Sequence, residues 1–499
     1  MKKIVLLITI LAFASVSCQQ IDRKDKKKDP VDYVNNRIGN ISILLVPTFP
    51  VTHLPNSMLR MIPAHTEFVT DRMQGLPLNV PSHRQGDLLY LMPYCGELTE
   101  LTPNMNYRYD HEQSTPYHYS VYLDDHGILT RFAPAARSAI FSLTYENEGP
   151  RYVMLRTVGN GELFAEGNTM HGYEIYHGTK HYFYLEFDQE PIETGNKNKE
   201  NLKASYVRFA DNINEVRIRY GISYISHEQA RNNLENEIAE FDIDALASAA
   251  RTKWNETLGK IEVEGATEDQ KTVFYTSLYR AHERMINISE DGKYYNGFDG
   301  KVHDDGGVPF WTDDWIWDNY LALHPLQIIL NPKAEEEKLA SYIRMYENSE
   351  EKWMPTFPCV FGDAHCMNGN HAAVMFADAL SKGIQFDVEK AFEGMKNTVL
   401  NETMIPWRRA PKTELDDFYH EHGWFPGLHP GEKEPVAIVS DFEQRNSVAV
   451  TQAASYDDWS IAQLAKSLGK EDDYTFFLNR AYNYRNLFNK ETGFLYPKR

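Results

Sequence analysis

The chain has 499 residues, a formal net charge of −20, and 13% aromatic residues. A chain of this length exceeds what a single hydrophobic core usually supports, so we expect more than one domain. The negative charge argues against nucleic acid as a partner, because phosphate binding needs a positive surface, and it suits an uncharged substrate.

Residues 1–18 have the pattern of a secretion signal. Lys2 and Lys3 precede an apolar run over residues 4–13, and small residues lead up to Cys18. This ending resembles a bacterial lipobox, in which Cys18 carries the lipid; the alternative is an ordinary cleaved signal followed by a cysteine that has no such role. Residues 19–31 are charged and lack apolar periodicity, as expected of a tether. No other segment reaches the roughly 20 apolar residues of a membrane span, so we expect attachment to a bacterial cell envelope through lipid alone.

The alternation of apolar and polar residues predicts a β-sandwich domain over residues 32–240. Residues 119–132 contain two strand-like runs around an Asp-Asp-His-Gly turn, and residues 181–187 alternate regularly. Short runs of this kind, separated by Gly, Pro, Asn and Asp, are typical of two packed sheets. Helical spacing then replaces the alternation, and residues 241–265 are predicted to form a helical linker.

Helical patterns dominate residues 266–499. Thr267 and Gln270 have the spacing of a capping box, which predicts a helix that begins at Glu268. Apolar residues at helical spacing predict further helices at about 313–329, 334–349, 370–382, 387–399, 447–468 and 472–489. Helices in pairs, joined by loops that contain Gly and Pro, indicate a toroid of helical hairpins.

An apolar stripe lies close to Arg499 and comprises Phe476, Phe477, Ala481, Tyr482 and Leu487. Such a stripe needs a neighbouring helix, and a toroid that lacks its last hairpins leaves apolar faces in water. We therefore expect a truncated or split reading frame. The alternative is a natural shorter fold in which an oligomer or tighter packing covers these faces.

Short motifs follow one another along the chain: Val34-Asn35, Ile38-Gly39, Thr48-Phe49-Pro50, Leu54-Pro55-Asn56-Ser57-Met58, Trp317-Asp318-Asn319-Tyr320, Leu323-His324-Pro325-Leu326, Cys366-Met367-Asn368-Gly369-Asn370-His371 and Tyr456-Asp457-Asp458-Trp459. In this order they resemble the motifs of glycoside hydrolase family 92, the calcium-dependent inverting exo-α-mannosidases. Asn319 and Leu321 depart from the Thr and Arg of the family. The resemblance spans about residues 31–499 and implies a multi-domain α and β fold, in which an N-terminal β-sandwich precedes an (α/α)6 toroid that is incomplete here.

The resemblance also implies segments that this sequence does not contain. The family's EGNAWQY segment with the general acid, its GNEP segment near the calcium ligands, and its GNEDCG-like segment with the base would all lie beyond Arg499. An inverting hydrolase needs two carboxylates roughly 6.5–9.5 Å apart. We therefore expect that this chain alone is inactive, that the calcium ligands of the family are not in it, and that a C-terminal companion fragment would supply them.

Asp318 is the first candidate for binding the substrate. A carboxylate flanked by Trp317 and other apolar residues in a helix is costly to bury without a polar partner, and a pair of sugar hydroxyls is such a partner. The alternative is an ion pair in the toroid core. The resemblance places Asp318 in the −1 subsite with Trp317 beside it. Asp363, Asn370 and His371 are further candidates, although His371 could instead be a helix-start histidine bonded to the backbone.

Catalytic and metal-binding candidates are fewer. Asp363 and Asp458 are the carboxylates that we would test first as acid or base. Asp457 and Asp458 cannot flank one glycosidic bond, because adjacent residues on a helix point about 100° apart. A zinc-like cluster comprises Cys359, Asp363, His365, Cys366 and His371. Its spacing matches no common closed zinc site, so we expect no metal site built wholly from this chain and interpret the cysteines as buried thiols.

The aromatic run Phe310, Trp311, Trp315 and Trp317 could form a sugar platform or simply belong to the core. If the region is helical, Trp311 and Trp315 share one face, which core packing also favours.

Three functions compete. The first is an envelope exo-α-mannosidase acting on terminal α-mannosides of glycans, and the second is a non-catalytic surface lipoprotein that binds mannosides. The third is another sandwich-plus-toroid sugar enzyme, such as a glycoside phosphorylase. The third would need a phosphate site, and neither a basic cluster nor a Gly-rich anion loop occurs near Asp318.

Overall fold

The computed structural model describes residues 28–41, 48–65, 71–82, 86–98, 106–199 and 202–499. The predicted signal, the predicted lipidation site Cys18 and most of the predicted tether lie outside these described residues. Within the described ranges, no helix combines the length and the apolar character needed to cross a membrane.

The N-terminal part is built from β-strands. They are β1 Thr52–His53, β2 Arg60–Met61, β3 Arg72–Met73, β4 Leu76–Asn79, β5 Leu88–Cys95, β6 Tyr107–Ser114, β7 Tyr119–Leu123, β8 Ile128–Pro134, β9 Ser138–Tyr145, β10 Arg151–Arg156, β11 Gly161–Glu166, β12 Thr169–Tyr176, β13 Thr179–Phe187, β14 Glu193–Lys199, β15 Leu202–Phe209 and β16 Glu215–Ser223. The predicted hairpin is present as β7 and β8, in which Leu123 pairs with Ile128.

The strands form two antiparallel sheets that share one core. Nine strands pair in the order β11-β12-β13-β16-β9-β8-β7-β6-β3, and five pair in the order β14-β15-β10-β5-β4. Alternate side chains along each strand point to one face. The burial pattern of β13 therefore alternates, with Phe183, Leu185 and Phe187 buried. These side chains pack with Leu91 and Phe209 of the other sheet in the largest apolar cluster of the described residues.

Helices follow from residue 227 onward. They are α1 His227–Glu237, α2 Ile243–Leu258, α3 Glu268–Arg280, α4 Ile316–Asn319, α5 Leu323–Leu330, α6 Pro332–Asn348, α7 Ala372–Ser381, α8 Val388–Asn401, α9 Glu414–His422, α10 Ser447–Ser467 and α11 Glu471–Arg480. The capping box at the start of α3 is present: Thr267 accepts a hydrogen bond from the Gln270 N–H, and the Gln270 side chain bonds back to Thr267. The chain thus has the predicted order, a β-sandwich followed by a helical toroid.

The predicted helix at 313–329 is wrong. Trp311–Thr312 is a short strand, β20, that pairs with β17, Ile286–Asn287. Asp313 then adopts φ +62°, a left-handed conformation that no α-helix accommodates. Helical structure is limited to the single turn of α4 and to α5. Trp311 and Trp315 therefore do not share a helix face.

Two further elements have no counterpart in the predictions. A hairpin is formed by β18, Lys293–Asn296, and β19, Lys301–Asp304, and α9 lies between α8 and α10. Two short pairs complete the described strands: β21 Pro358–Cys359 with β22 Gly362–Asp363, and β23 Phe488–Asn489 with β24 Phe494–Leu495.

Buried polar contacts join the sandwich to the helices. The Trp254 indole donates to the His53 carbonyl at 2.7 Å, and the Tyr279 hydroxyl donates to the Val51 carbonyl at 2.6 Å. Arg60 of β2 forms an ion pair of 2.7 Å with Asp313, and both side chains are almost inaccessible. These bonds fix the orientation of the segment that leads into α4.

The apolar stripe near Arg499 is only partly covered. Phe477 is buried and meets Phe392 of α8 edge-on, and Ala481 and Leu487 are also buried. Phe476 and Tyr482 remain about half exposed.

Candidate substrate site

Helix α4 presents Trp317 and Asp318 to solvent. Both are classed as exposed, and 37% of Trp317 is accessible, whereas the preceding Ile316 is buried. Asp318 is thus not buried in the core of the helical region. An exposed indole beside an exposed carboxylate offers a flat apolar face and a hydrogen-bond acceptor, which are the two features that a sugar ring uses.

Asp313 fixes the start of the segment that leads into α4. Its carboxylate accepts the Arg60 guanidinium at 2.7 Å and the Ser82 hydroxyl at 2.6 Å. A buried charge is tolerated only when it is paired and hydrogen-bonded, and both conditions are met here. These contacts hold Asp313 in its left-handed conformation, and strained backbone of this kind concentrates at functional sites.

Asp314 is the second anchor of α4. It accepts hydrogen bonds from Asn319 at the end of α4, from the His324 imidazole at 2.8 Å and from the Tyr342 hydroxyl at 2.7 Å. Burial favours its neutral form, but the charge of His324 and these three bonds outweigh burial and lower the pKa of Asp314 to about 2. Asp314 is therefore an ionised structural group that closes the α4 turn.

His324 lies between two buried carboxylates. Its Nδ1 is 2.6 Å from Glu335, and its Nε2 is bonded to Asp314. Burial opposes the imidazolium, but the charges of Glu335 and Asp314 raise the pKa of His324 to about 10. Lys338 adds a positive charge 3.3 Å from Glu335. The result is a charge-balanced buried network beneath α4.

The loop before α7 approaches α4 through His371. Tyr320 stacks on the His371 ring with centroids 4.3 Å apart. His371 Nδ1 lies 2.7 Å from Asp457, whose other oxygen accepts the Asn370 N–H at 2.6 Å. His371 is thus a helix-start residue, but a carboxylate of α10 orients it rather than the backbone alone.

Gly369 makes this loop possible. It adopts φ +89°, and a Cβ at this position would lie 2.7 Å from the His371 ring. Any side chain would therefore displace the histidine. Met367 and His365 of the same loop also have positive φ values, of 60° and 43°. A loop strained in this way keeps its shape only because the surrounding contacts hold it.

Asp363 is placed differently from the prediction. Its oxygens accept the N–H groups of Thr356, Phe357 and His365 at 2.8–2.9 Å. They also accept Arg409 at 3.0 Å, and only 1% of the Asp363 side chain is exposed. Burial opposes ionisation, but hydrogen bonding and the charges of His365 and Arg409 hold the pKa of Asp363 well below its usual range. This geometry favours a structural carboxylate over an acid, a base or a sugar ligand.

Asp458 also forms a buried ion pair within the fold. Arg480 of α11 donates to it at 2.9 Å, and the Asp458 side chain is 1% exposed. Burial, partly offset by Arg480, raises its pKa to about 6. Asp458 and Asp457 border a cavity of about 30 Å³ under the loop. A cavity of this size holds one or two water molecules rather than a sugar. The geometry favours a role for Asp458 in docking α11 onto α10.

Glu402 is a buried acid that the sequence did not single out. It is 3% exposed and lies 3.7 Å from both His365 and Arg409. Burial raises its pKa to about 7 even though these cations oppose the shift. It follows α8 without a recognisable motif, so only the three-dimensional packing reveals it.

Calcium binding can be tested against the side chains. Calcium takes six to eight oxygen ligands, mainly carboxylates and carbonyls. Among the residues that the structure describes, no group of three or more Asp, Glu, His or Cys side chains is suited to a metal ion. The described side chains of these four types therefore do not by themselves form a calcium site. Cys359 and Cys366 are unpaired thiols, and burial with the charges of Asp363 and Asp318 raises the pKa of Cys366 to about 11.

The predicted residues thus separate into two groups. The first group, which we call the candidate substrate site, comprises the exposed Trp317 and Asp318 of α4 together with Asn370 and the buried His371, whose ring stacks on Tyr320 at the end of α4. The second comprises Asp363 and Asp458, whose side chains are held below it. The aromatic run also divides, because Phe310 and Trp311 are core residues and Trp317 is exposed.

Comparison with known proteins covers nearly the whole chain. Residues 33–223 match the glycosyl hydrolase family 92 N-terminal domain, and residues 229–499 match the glycosyl hydrolase family 92 catalytic domain. The structure of the family GH92 inverting mannosidase BT2199 from Bacteroides thetaiotaomicron is similar, with 29% identity and a TM-score of 0.84 over 95% of this chain and 67% of that one. The α-mannosidase BT3965 of the same organism, solved with mannoimidazole, shares the fold at 24% identity, with a TM-score of 0.80 over 94% of this chain and 66% of that one.

A curated relative is an uncharacterized secreted glycosidase of Arthroderma benhamiae, 24% identical over 311 residues, or 58% of this chain. This chain spans 34% of the length of that relative and about two thirds of the length of the two solved mannosidases. The two family domains follow one another in the order that the fold shows. The chain therefore belongs to glycosyl hydrolase family 92.

Proposed function

We propose that this chain carries the sugar-binding part of an exo-acting α-mannosidase. The terminal mannose of an α-mannoside glycan would lie on the candidate substrate site, with the Trp317 indole against its apolar face and Asp318 accepting its hydroxyls. The observation that carries the proposal is the exposure of both side chains on a helical turn that two buried carboxylates hold in place. Similarity to a structure named as an inverting mannosidase supports this substrate class.

Hydrolysis by this chain alone is not part of the proposal. Inversion requires one carboxylic acid to protonate the leaving oxygen and one carboxylate to activate water on the opposite face of the ring. Asp363 accepts backbone N–H groups and pairs with Arg409. Asp457 accepts the Asn370 N–H and bonds to the His371 imidazole. Asp458 is committed to Arg480. The proposal is therefore limited to binding, which keeps open the alternative of a non-catalytic mannoside-binding protein.

We further propose that an additional helical segment packs on the exposed face of α10 and supplies the missing acid and base. A groove of about 720 Å³ runs along α5, α7 and α10. Leu321, Tyr456 and Trp459 line it with 67%, 40% and 45% of their surfaces exposed. Apolar groups of this size in water favour association with another surface. The calcium of the family would bind to residues of that companion segment.

The place of action in this proposal is the bacterial cell envelope, with the chain attached through lipid on Cys18. The charged tether and the name of the curated relative, a secreted glycosidase, support export. The anchor itself is tested by mass spectrometry of the mature N-terminus and by its loss in Cys18→Ser.

The binding proposal is tested with purified protein from residue 19 onward. Mannose and α-mannobiose should give saturation-transfer NMR signals, and Asp318→Ala should remove them, because each unpaired sugar hydroxyl costs roughly 1–3 kcal/mol. Asp304→Asn, an exposed aspartate of β19, is the matched control and should bind like the parent. Release of mannose from α-mannobiose by this chain alone, with or without calcium, would contradict the argument about the missing acid and base. Binding that survives Asp318→Ala would contradict the assignment of the site.

A further inference from the structure

A second cleft, of about 520 Å³, opens where the sandwich meets α2, α5 and α6. Small-molecule sites commonly have volumes of about 300–1,000 Å³, so the space suits a ligand of the size of a monosaccharide. Its charged and ionisable lining residues are Arg137, Lys253, Glu256, Lys260, His282 and Lys338. None of the four residues of the candidate substrate site lines this cleft.

The cleft is positively charged in a chain of net charge −20. Arg137 and Lys338 are paired with glutamates outside the lining. Lys260 donates instead to two uncharged acceptors, the Leu330 carbonyl at 3.1 Å and the Asn331 side chain. Burial and the nearby charge of Lys253 lower the pKa of Lys260. A bound anion would relieve this repulsion.

Lys253 and Lys260 are not neutralised by the acidic residue of the cleft. Glu256 lies 3.8 Å from Lys253, and both of these side chains are at least 60% exposed. An exposed pair at this distance contributes little attraction. The cleft therefore retains an excess positive charge near Lys253 and Lys260.

His282 adds a specific acceptor at the inner wall. It is 1% exposed, and its Nδ1 bonds to the Leu278 carbonyl at 2.9 Å, which places the ring proton on Nδ1. Its Nε2 is buried and has no hydrogen-bond partner among the described residues. Burial, followed by the charges of Lys338 and Lys260, lowers the pKa of His282 to about 4, so the ring is neutral near pH 7. A buried acceptor of this kind is satisfied by a hydroxyl donor.

We propose that this cleft is a binding site for a small anion that also carries hydroxyl groups. Its phosphate or carboxylate group would be held by Lys253 and Lys260, and one of its hydroxyls would donate to His282 Nε2. Sugar phosphates and uronic acids share this chemistry. The inference does not rest on mannoside binding at α4, because the two sites share no lining residue.

The test is calorimetric titration of the protein from residue 19 onward at constant ionic strength, with glucose 6-phosphate, glucuronate, sulfate and glucose as ligands. At least one of the two hydroxylated anions should bind with a Kd of about 1 mM or tighter. Sulfate should bind more weakly, since it cannot donate to His282, and neutral glucose should not bind. Binding of only one hydroxylated anion would identify phosphate or carboxylate as the preferred group.

Substitutions of the lining residues test which of them contact the bound anion. Lys253→Gln with Lys260→Gln should weaken binding of the hydroxylated anion at least tenfold, or about 1.4 kcal/mol. The double variant Lys382→Gln with Lys412→Gln, which removes two partly exposed lysines outside the cleft, should bind normally. His282→Phe should weaken the hydroxylated anion several-fold and leave sulfate unchanged. If His282→Phe does not fold, the lysine variant still decides. No binding by either hydroxylated anion, equal binding by glucose, or unchanged binding in the lysine variant would overturn the proposal.

Discussion

Replacement of His324 by glutamine tests whether the buried network beneath α4 organises the helical region. The imidazole bonds to Glu335 at 2.6 Å and to Asp314 at 2.8 Å, and it is 2% exposed. Glutamine is close to histidine in size but is neutral. Among the described residues, Lys338 is then the one buried cation that still bonds to either Asp314 or Glu335. Removing one member of a buried charge network typically costs 3–5 kcal/mol, because the remaining charge is uncompensated. We expect His324→Gln to lower the free energy of unfolding of the helical region by about this amount.

The same network predicts a pH dependence with a defined sign. The pKa of His324 is about 10 in the folded chain, whereas the ordinary pKa of a histidine is 6.5. The folded chain therefore holds a proton that the unfolded chain releases between these values, and stability falls as pH rises through this window. One such group contributes a slope of about 1.4 kcal/mol per pH unit, or roughly 2–3 kcal/mol between pH 7 and pH 9. Below pH 6.5 its contribution is fully present.

The assay is urea unfolding followed by far-UV circular dichroism, at several pH values between 6 and 9. The difference in stability between the parent and His324→Gln should be largest at pH 6 and should shrink as pH rises. His303→Gln is the matched control, because His303 pairs with Asp299 at 2.9 Å but is 29% exposed in a surface hairpin. A loss of less than about 1 kcal/mol, or a difference that does not depend on pH, would show that the network does not hold the charge described here.

Three more changes test contacts of the site. Asp457→Asn should cost about 1–3 kcal/mol in urea unfolding, because the His371 imidazole and the Asn370 N–H both lose a charged acceptor, and an unchanged midpoint would contradict this. Gly369→Ala should destabilise the fold by at least about 1–3 kcal/mol, because φ is +89° and the new Cβ would lie 2.7 Å from the His371 ring. A thermal melt like that of the parent would show that the loop adapts. Arg60→Met should lower the free energy of unfolding by about 3–5 kcal/mol, because it removes the ion-pair partner of the buried Asp313 carboxylate. Limited proteolysis should then cut between sandwich and toroid. Arg37→Met, which breaks a more exposed ion pair, should not have this effect.

The sequence predicted the parts of the fold that local patterns determine. The β7–β8 hairpin follows from two alternating runs around a turn, and α3 begins where its capping box indicates. The order of strands in the nine-stranded sheet depends on long-range pairing, which no local pattern encodes. The error at 313–329 has a similar origin, because Asp313 and Asp314 are held by Arg60 and Tyr342, which are distant in sequence.

The site was predictable only in outline. The motif around Trp317 and Asp318 predicted a substrate-binding carboxylate in the middle of a helix, whereas the structure places both residues at the surface on a single helical turn. Asp363 had the same appearance in sequence, yet three backbone N–H groups and Arg409 surround it. Residue type and spacing cannot distinguish a carboxylate that faces solvent from one that is saturated by its own loop. Glu402 shows the opposite case, a perturbed buried acid with no motif at all.

The exposure of Asp318 separates it from the other acids of this region, whose side chains are buried. A carboxylate that binds a sugar must be accessible to it, whereas a structural carboxylate is buried and hydrogen-bonded within the fold. Asp314, Asp363 and Asp457 each accept three or more hydrogen bonds or share both oxygens among buried partners, so none can turn toward a substrate without breaking α4 or its neighbouring loop. Asp318 differs from these acids because it is exposed. In the proposed function, the buried acids hold α4 and its neighbouring loop in place, and the exposed Asp318 binds the sugar.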